Sequence, residues 1–371
     1  MIELRARARD LGITIGPLPM GPLNAITDVP GVLVGHCTVS WGGPELPSGS
    51  GPARTGVTAI LPHGGNLFRE KVVAGAFTAN GVGEVVGCTA IREWGIIETP
   101  IMLTNSQALG QVYDATVRWV IARDELAGID DAIMPVVGEC DDGSLNDARG
   151  MHVKAEHAFA ALDAATGGPV AEGSVGAGTG MTAFDFKAGI GTSSRVVSIY
   201  DRQFTLGALA LANFGLRHRL VIDGVPVGRE IDDLMPVENR PGSCIVVIAT
   251  DAPLSARQCE RLALRGALGL AQVGSYAADG SGEIMVAFST AARLPRTTET
   301  PIKLSIIGDD RISALFEAAV DATAEAVVNS LFMAETMEGA GGNVYHALPL
   351  ERLPAIMERY GRPMTPPHDV V

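Results

Sequence analysis

The chain has 371 residues, of which 47% are hydrophobic and 19% charged, so it can bury a large core and is not globally disordered. Its formal net charge of −14 repels the phosphates of nucleic acids, and we therefore expect no nucleic-acid partner. No run reaches the roughly 18 consecutive apolar residues of a membrane helix, so no membrane partner is expected either.

The N-terminal region carries the only basic cluster, Arg5, Arg7 and Arg9, but no apolar segment typical of a signal peptide. The five cysteines are odd in number and lack CxxC spacing, which argues against a disulfide framework and against a structural zinc. These features predict a protein of the reducing cytoplasm.

Short apolar runs alternate with segments of helical spacing along the chain. Strands are predicted at 32–39, 55–61, 101–103, 133–137, 194–200, 203–212, 244–249 and 284–288. Helices are predicted after an N-cap at Asn105-Ser106, within 147–162, at 255–273 with Ser255 as N-cap, and at 312–333. The helix at 312–333 is apolar on all sides, which predicts a buried position between layers.

The alternation of strands and helices has no repeat period and is not interrupted by a low-complexity linker. We therefore predict a single compact α/β domain spanning 1–371. Strands that are apolar on both faces indicate two stacked sheets covered by helices, a four-layer αββα sandwich. Composition alone does not distinguish this arrangement from a doubly wound single sheet.

The stretch 238–254 (ENRPGSCIVVIATDAPL) is the one around which the other predictions are organised. Its opening Asn239-Arg240-Pro241-Gly242 is a turn signal, because proline fixes φ and glycine permits positive φ. Ser243 follows at once and begins an apolar run without alternation, which predicts a strand buried on both faces. Ser243 is then either part of an ordinary turn before a core strand or a nucleophile on a rigid edge, preceded by a peptide bond that can be cleaved.

The glycine-rich loop 173–180 lacks both the Gly-Lys-Ser/Thr ending of a P-loop and the GxGxxG spacing of a dinucleotide site. We interpret it as a tight loop whose amides approach another backbone, which can be that of the protein or that of a substrate. The seven histidines show no metal-binding pattern, so neither a metal nor another cofactor is expected.

Three polar segments each have two interpretations. The acidic run 138–142 is either a solvated loop or a site for a cation such as a substrate ammonium. Asn213 is either a turn residue or an amide donor in an oxyanion hole. Ser281-Gly282-Glu283 is either a turn or, beside Ser243, a source of a hydroxyl and a carboxylate.

Taken together, several motifs in a fixed order resemble the DmpA-type L-aminopeptidase/D-esterases and the related β-aminopeptidases. The motifs are 24–32 (NAITDVPGV), 189–192 (GIGT), 242–254 (GSCIVVIATDAPL) and 280–283 (GSGE), so the resemblance spans nearly the whole chain. It implies a four-layer αββα sandwich like that of the N-terminal-nucleophile hydrolases, with different connectivity. It also implies self-cleavage between Gly242 and Ser243 into chains 1–242 and 243–371, and a homotetramer of these two-chain units.

The resemblance further implies roles for individual residues. Ser243 matches the nucleophile, Asn213 the oxyanion-stabilising asparagine, and Ser281 and Glu283 the pair that relays protons and orients the free amine of the nucleophile. Glu139 matches the acidic residue that receives the N-terminal ammonium of the substrate. The residues after it, 140–142, differ from relatives that carry an aromatic residue there, which leaves the preferred substrate side chain open.

Three functions are consistent with these features. The first is an aminopeptidase or amidase that removes an N-terminal amino acid from short peptides, amides or esters with a free amine. The second is a hydrolase of cyclic amides or oligoamides, and the third is a non-catalytic protein that binds a small molecule at the loop 173–180. Ornithine acetyltransferases share the implied fold but use a threonine nucleophile, so Ser243 counts against acyl transfer. The sequence leaves open α- or β-amino acids and L- or D-forms.

Overall fold

The computed structural model describes residues 5–237 and 242–365. The predicted turn residues Asn239, Arg240 and Pro241 lie outside these ranges. The strands are β1 (Leu33–Trp41), β2 (Ala53–Leu61), β3 (Glu70–Gly81), β4 (Val85–Val86), β5 (Ile96–Ile97), β6 (Ile101–Asn105), β7 (Val136–Cys140), β8 (Thr182–Ala183), β9 (Phe186–Lys187), β10 (Ile190–Ile199), β11 (Arg202–Asn213), β12 (Ser243–Thr250), β13 (Gly282–Pro295), β14 (Met337–Glu338) and β15 (Val344–Tyr345). The α-helices are α1 (Cys88–Trp94), α2 (Leu109–Ile121), α3 (Ala155–Asp163), α4 (Val227–Glu230), α5 (Ala256–Gln272), α6 (Ser313–Phe332) and α7 (Leu353–Arg359).

Two stacked sheets form the centre of the molecule. A five-stranded sheet has the order β1-β2-β6-β7-β4, and a six-stranded sheet has the order β10-β11-β12-β13-β3-β5. Ile101 and Leu103 of the first sheet share one buried apolar cluster with Ile245 and Val247 of the second. β12 is buried on both faces, as the absence of alternation predicted.

Helices cover the outer faces of both sheets. α5 and α6 share a buried cluster with the outward face of the six-stranded sheet, and α2 and α3 share another with the five-stranded sheet. The layers are therefore helix, sheet, sheet and helix, the predicted αββα order. No helix among the described residues is both long and apolar enough to cross a bilayer.

The prediction of a buried, apolar helix at 312–333 is confirmed by α6. One side of α6 packs on β10 and β11, and the N-terminal segment covers another part of it. Arg5 donates to the carbonyl of Phe332, and Arg9 forms an ion pair with Glu325 at 3.1 Å. Arg7 forms an ion pair with Glu172 at 2.7 Å, so all three arginines of the N-terminal basic cluster bind groups of the protein itself.

The main error of the sequence prediction is β3, a strand of the six-stranded sheet that was not predicted. Its inward positions are largely alanine and glycine, and it therefore lacks the bulky β-branched pattern on which strand prediction depends. Gly75 explains this composition, because a Cβ there would lie 2.2 Å from the backbone nitrogen of Glu260 in α5. The strand predicted at 133–137 is also shifted, since β7 runs over Val136–Cys140.

Gly191 in β10 provides a test of how closely α6 packs on the six-stranded sheet. A Cβ at Gly191 would lie 1.9 Å from the carbonyl oxygen of Ala326, so the helix would have to move. We expect Gly191→Ala to lower the free energy of unfolding by about 1–3 kcal/mol, the usual cost of overpacking, and to lower the Tm accordingly. Gly110→Ala in α2 is the matched control, because nothing lies within 4 Å of its Cβ position and alanine favours helix. Equal Tm values for the two variants would contradict the close approach.

Candidate active site

Three neighbouring strands bring the predicted residues to one edge of the six-stranded sheet. Ser243, the first residue of β12, lies opposite Asn213, the last residue of the antiparallel β11. β13 runs parallel to β12 and pairs Glu283 with Cys244, so the starts of both strands lie at the same edge. Strand register alone thus places Asn213 opposite Ser243 and brings the backbone of Glu283 to the same edge, one residue out of step with Ser243.

Ser243 is almost buried, with 7% of its surface exposed. Its Oγ accepts a hydrogen bond from Gly282 N at 3.3 Å and lies 3.5 Å from the carbonyl oxygen of Val82. Both distances are long for hydrogen bonds, so the hydroxyl is held loosely. Gly242 before it has no room for a side chain, because a Cβ would lie 1.8 Å from the carbonyl oxygen of Asn213.

The side-chain amide of Asn213 has a fixed orientation. Its Oδ1 accepts from Thr182 N at 3.0 Å, and its Nδ2 donates to the carbonyl of Asp141 at 2.8 Å. Nδ2 also lies 3.3 Å from the Cβ position of Gly242. A nitrogen donor is therefore held beside the residue that precedes Ser243, where an oxyanion hole requires one.

Ser281 and Glu283 form a buried pair. Ser281 Oγ donates to Glu283 Oε1 at 2.6 Å, and the two side chains are 4% and 2% exposed. Burial raises the pKa of the Glu283 carboxyl, while the Ser281 hydroxyl and the nearby Asn80 amide oppose this shift. Oε2 of Glu283 has no hydrogen-bond partner in the described part of the chain and remains available to a further group.

Glu139 faces Ser243 from the five-stranded sheet. Its Oε1 accepts from Glu84 N at 2.8 Å, and its Oε2 accepts from the Ser106 hydroxyl. Gly83 lies between the two residues, because a Cβ on Gly83 would be 3.4 Å from Glu139 Oε1 and 3.6 Å from Ser243 Oγ. The candidate site thus lies between the two sheets.

The acidic run 138–142 is not a solvated loop, which corrects one of its two interpretations. Glu139 belongs to β7 and is 7% exposed, Asp142 is 1% exposed, and only Asp141 faces solvent. The prediction from the end of an apolar strand failed because β7 continues through these residues. Burial of Glu139 beside Ser243 fits the cation-site interpretation.

A cavity of about 240 Å³ lies next to this cluster. Gly242, Ser281 and Glu283 form one part of its wall, and the rings of Phe214 and Tyr276 form another. The two aromatic residues were not singled out from the sequence, since each sits in a loop without a pattern. The Ser281–Glu283 pair therefore borders open space rather than packed protein.

The glycine-rich loop 173–180 approaches the protein's own backbone. A Cβ on Gly178 would lie 2.4 Å from Ile190 N, and one on Gly180 would lie 2.1 Å from the carbonyl oxygen of Arg54. Residues 176–180 are buried, so their amides do not face a phosphate or a free ligand. In the described residues, no three metal-ligating side chains come together.

Residues 24–345 match the model of peptidase family S58. The chain belongs to peptidase family S58. It is 43% identical over 372 residues to the β-peptidyl aminopeptidase BapA of Sphingosinicella microcystinivorans. This match covers 96% of the present chain and 93% of BapA. This S58 protein is an aminopeptidase.

Solved structures of similar chains agree with the fold. The PH0078 protein from Pyrococcus horikoshii OT3 has a TM-score of 0.93 at 49% identity, over 96% of this chain and 100% of that chain. A second structure is the L-aminopeptidase D-Ala-esterase/amidase from Ochrobactrum anthropi, described as a variant of the Ntn hydrolase fold. It has a TM-score of 0.90 at 42% identity, and the match covers 96% of this chain and 99% of that chain. The N-terminal-nucleophile-like fold implied by the resemblance is therefore confirmed for this S58 chain.

Asp142 gives the buried acidic segment a pH-dependent stability. Burial raises the pKa of Asp142 to about 7, against hydrogen bonds from Thr55, Asn146 and Asn105. Because this value lies above the unfolded one of about 3.9, stability is lost as pH rises from about 4 to about 7. We expect the Tm of the wild type to fall relative to that of Asp142→Asn between these two pH values. Above the higher value the difference between the two Tm values should stay constant. A constant difference between the two Tm values at every pH would show that ionisation of Asp142 does not destabilise the folded protein.

Proposed function

We propose that the S58 chain cleaves itself between Gly242 and Ser243 and then uses Ser243 as an N-terminal nucleophile. Ser243 Oγ attacks the carbonyl carbon of Gly242, and the C–N bond breaks as the amine leaves. The resulting ester is hydrolysed by water, which yields chain 1–242 with a new carboxylate and chain 243–371 with a free amine. The loosely held hydroxyl of Ser243 and the lack of space for a side chain at Gly242 support this step.

The free amine of Ser243 then serves as the general base. The reference pKa of an α-amine is about 7.7–8.0, so part of it is neutral near physiological pH. It takes the proton of Ser243 Oγ as that oxygen attacks the substrate carbonyl, and it returns the proton to the leaving amine. Water releases the acyl group from Ser243 by the same route, so no histidine and no cofactor take part.

Asn213, Ser281 and Glu283 assist both reactions. Asn213 Nδ2, 3.3 Å from the Cβ position of Gly242, stabilises the oxyanion of the tetrahedral intermediate. The Ser281–Glu283 pair orients the new amine of Ser243 and relays its proton, with Glu283 Oε2 as the free acceptor. The observation that carries the proposal is that Asn213 lies opposite Ser243 at one sheet edge, where Gly282 N reaches Ser243 Oγ and the flanking Ser281 and Glu283 line a cavity.

Glu139 binds the ammonium of the substrate and thereby selects for a free N-terminus. The carbons between the substrate's ammonium and its carbonyl would then pass Gly83, where no side chain intervenes. We propose short peptides, amides and esters with a free α- or β-amine as substrates. The name of BapA, a β-peptidyl aminopeptidase, and that of the Ochrobactrum enzyme, an L-aminopeptidase D-Ala-esterase/amidase, support this range.

We further propose that the two-chain unit assembles into a homotetramer in the cytoplasm. Apolar side chains at Ile129, Ile302, Leu304 and Ile306 are exposed by 43–77% and would be covered in an assembly. The five free cysteines fit a reducing compartment. Light scattering of the native protein measures the assembly, and a monomeric mass would refute it.

Ser243→Ala tests the nucleophile. Without the hydroxyl neither the acyl shift nor hydrolysis can begin, so the variant should remain one chain and be inactive. Denaturing mass spectrometry should show two chains for the wild type, with Ser243 at the start of the second. Ser198→Ala, an exposed serine on β10 of the same sheet, is the matched control and should be cleaved like the wild type. An intact wild-type chain that hydrolyses alanyl p-nitroanilides would refute the mechanism.

Gly83→Ala tests the space between the ammonium site and the nucleophile. The added methyl would fit at ordinary contact distances of 3.4–3.6 Å, so the fold should tolerate it, but it occupies the path of the substrate. We expect KM for β-alanyl and L-alanyl amides to rise about tenfold, or about 1.4 kcal/mol, in steady-state assays. Self-cleavage should keep its rate, because it needs no ammonium. An unchanged KM would place the substrate elsewhere.

A further inference from the structure

Lys187 in β9 is a buried cation that the proposed mechanism does not use. Its side chain is fully buried, and within residues 5–237 and 242–365 its ammonium forms no ion pair. Nζ donates only to backbone carbonyls, those of Gly178 at 3.3 Å, Met181 at 2.8 Å and Ala188 at 2.5 Å. Burial lowers the pKa of Lys187 to about 7, so the ammonium is the dominant form only below that pH. A buried ammonium without a carboxylate partner is costly and calls for a reason.

Two of these three carbonyls do not need the ammonium in order to be satisfied. The carbonyl of Gly178 also accepts from Met181 N at 3.2 Å, and the carbonyl of Met181 also accepts from Ala188 N at 3.2 Å. A neutral side chain at position 187 would leave both with a backbone partner. In the described part of the chain, the carbonyl of Ala188 is the one of the three that relies on Lys187 alone. A neutral donor at position 187 would satisfy it as well, so this contact does not by itself require a charge.

The Met181–Thr182 peptide connects Lys187 to Asn213. Its carbonyl accepts from Lys187 Nζ, and its N–H donates to Asn213 Oδ1 at 3.0 Å. An ammonium on the carbonyl oxygen polarises a peptide and makes its N–H a stronger donor. That N–H in turn draws electron density from the Asn213 amide, so its Nδ2 becomes a stronger donor as well.

We propose that Lys187 is a positioning residue that fixes and polarises the Asn213 amide through the Met181–Thr182 peptide, and so strengthens the oxyanion hole. The proposal rests on the role of Asn213 in the proposed function. Lys187 touches no substrate and acts only through that peptide. Because an oxyanion exists only in the transition state and intermediate, the effect falls on kcat rather than on KM.

Lys187→Met, which keeps the length of the stem without the charge, tests the proposal. We expect kcat on alanyl amides to fall about tenfold, on the scale of one charge-assisted hydrogen bond, while KM changes less than about twofold. Lys187→Gln is the second neutral variant and should show the same split. Lys154→Met is the matched control, because Lys154 also donates to a carbonyl, that of Met151 at 2.7 Å, but on the surface. It should keep the wild-type kcat.

A double-mutant cycle with Asn213→Ala separates this proposal from the proposed function. The cycle is run on the rate of self-cleavage, which precedes hydrolysis and uses the same amide. We expect Asn213→Ala alone to slow cleavage by about 10²–10³. Lys187→Met should slow it about tenfold in the wild type but less than about twofold in the Asn213→Ala background.

Each outcome decides one of the two proposals. A wild-type rate in Asn213→Ala would refute the oxyanion role of Asn213 and with it the role of Lys187. If Asn213→Ala cleaves itself slowly, but Lys187→Met slows cleavage by the same factor with and without Asn213, only the coupling between the two residues is refuted. The role of Lys187 would also be refuted if its neutral variants raised KM by the same factor by which they lowered kcat. It would be refuted as well if both neutral variants failed to fold, because Lys187 would then serve stability alone.

Discussion

The candidate site depends on the register of β12 between β11 and β13. Side chains alternate between the faces of a strand, so a slip of one residue would turn Ser243 away and replace it with a neighbour on the other face. The register is held by the continuous burial of β12, whose two faces contribute to different clusters. Core packing therefore sets the position of the nucleophile to within a residue.

The second requirement is the contact between the two sheets. Ser243 and the Ser281–Glu283 pair belong to the six-stranded sheet, whereas Glu139 belongs to the five-stranded sheet, so neither sheet alone carries a complete site. The connection between β3 and β4 passes between them at Gly83. The same apolar cluster that stacks the sheets fixes the separation of Ser243 and Glu139, so in the function that we propose, packing would set which substrates fit between nucleophile and ammonium site.

The sequence was sufficient for elements whose signals are local. β12, the capped helix α5 and the buried helix α6 were all predicted, because an unbroken apolar run, the Ser255 cap and an all-round apolar helix are local features. β3 was missed because its small residues are required by α5, a contact distant in sequence. The burial of Glu139, the cavity walls and the network around Lys187 likewise depend on segments that meet only in the fold.

Electrostatics imposes a conflict that this site must resolve. Carboxylates such as Glu139 attract a substrate ammonium, but negative charges near the free amine of Ser243 would raise its pKa and make it a poorer base at neutral pH. Burial raises the pKa of Glu283, so this carboxyl is neutral over a wider pH range than a solvated one. When Glu283 is neutral, its proton lies on Oε2, because Oε1 accepts from Ser281, and the carboxyl then adds no negative charge near the amine. The ammonium site that we propose at Glu139 lies on the opposite sheet, so binding the substrate ammonium and keeping the amine basic are assigned to different carboxyls.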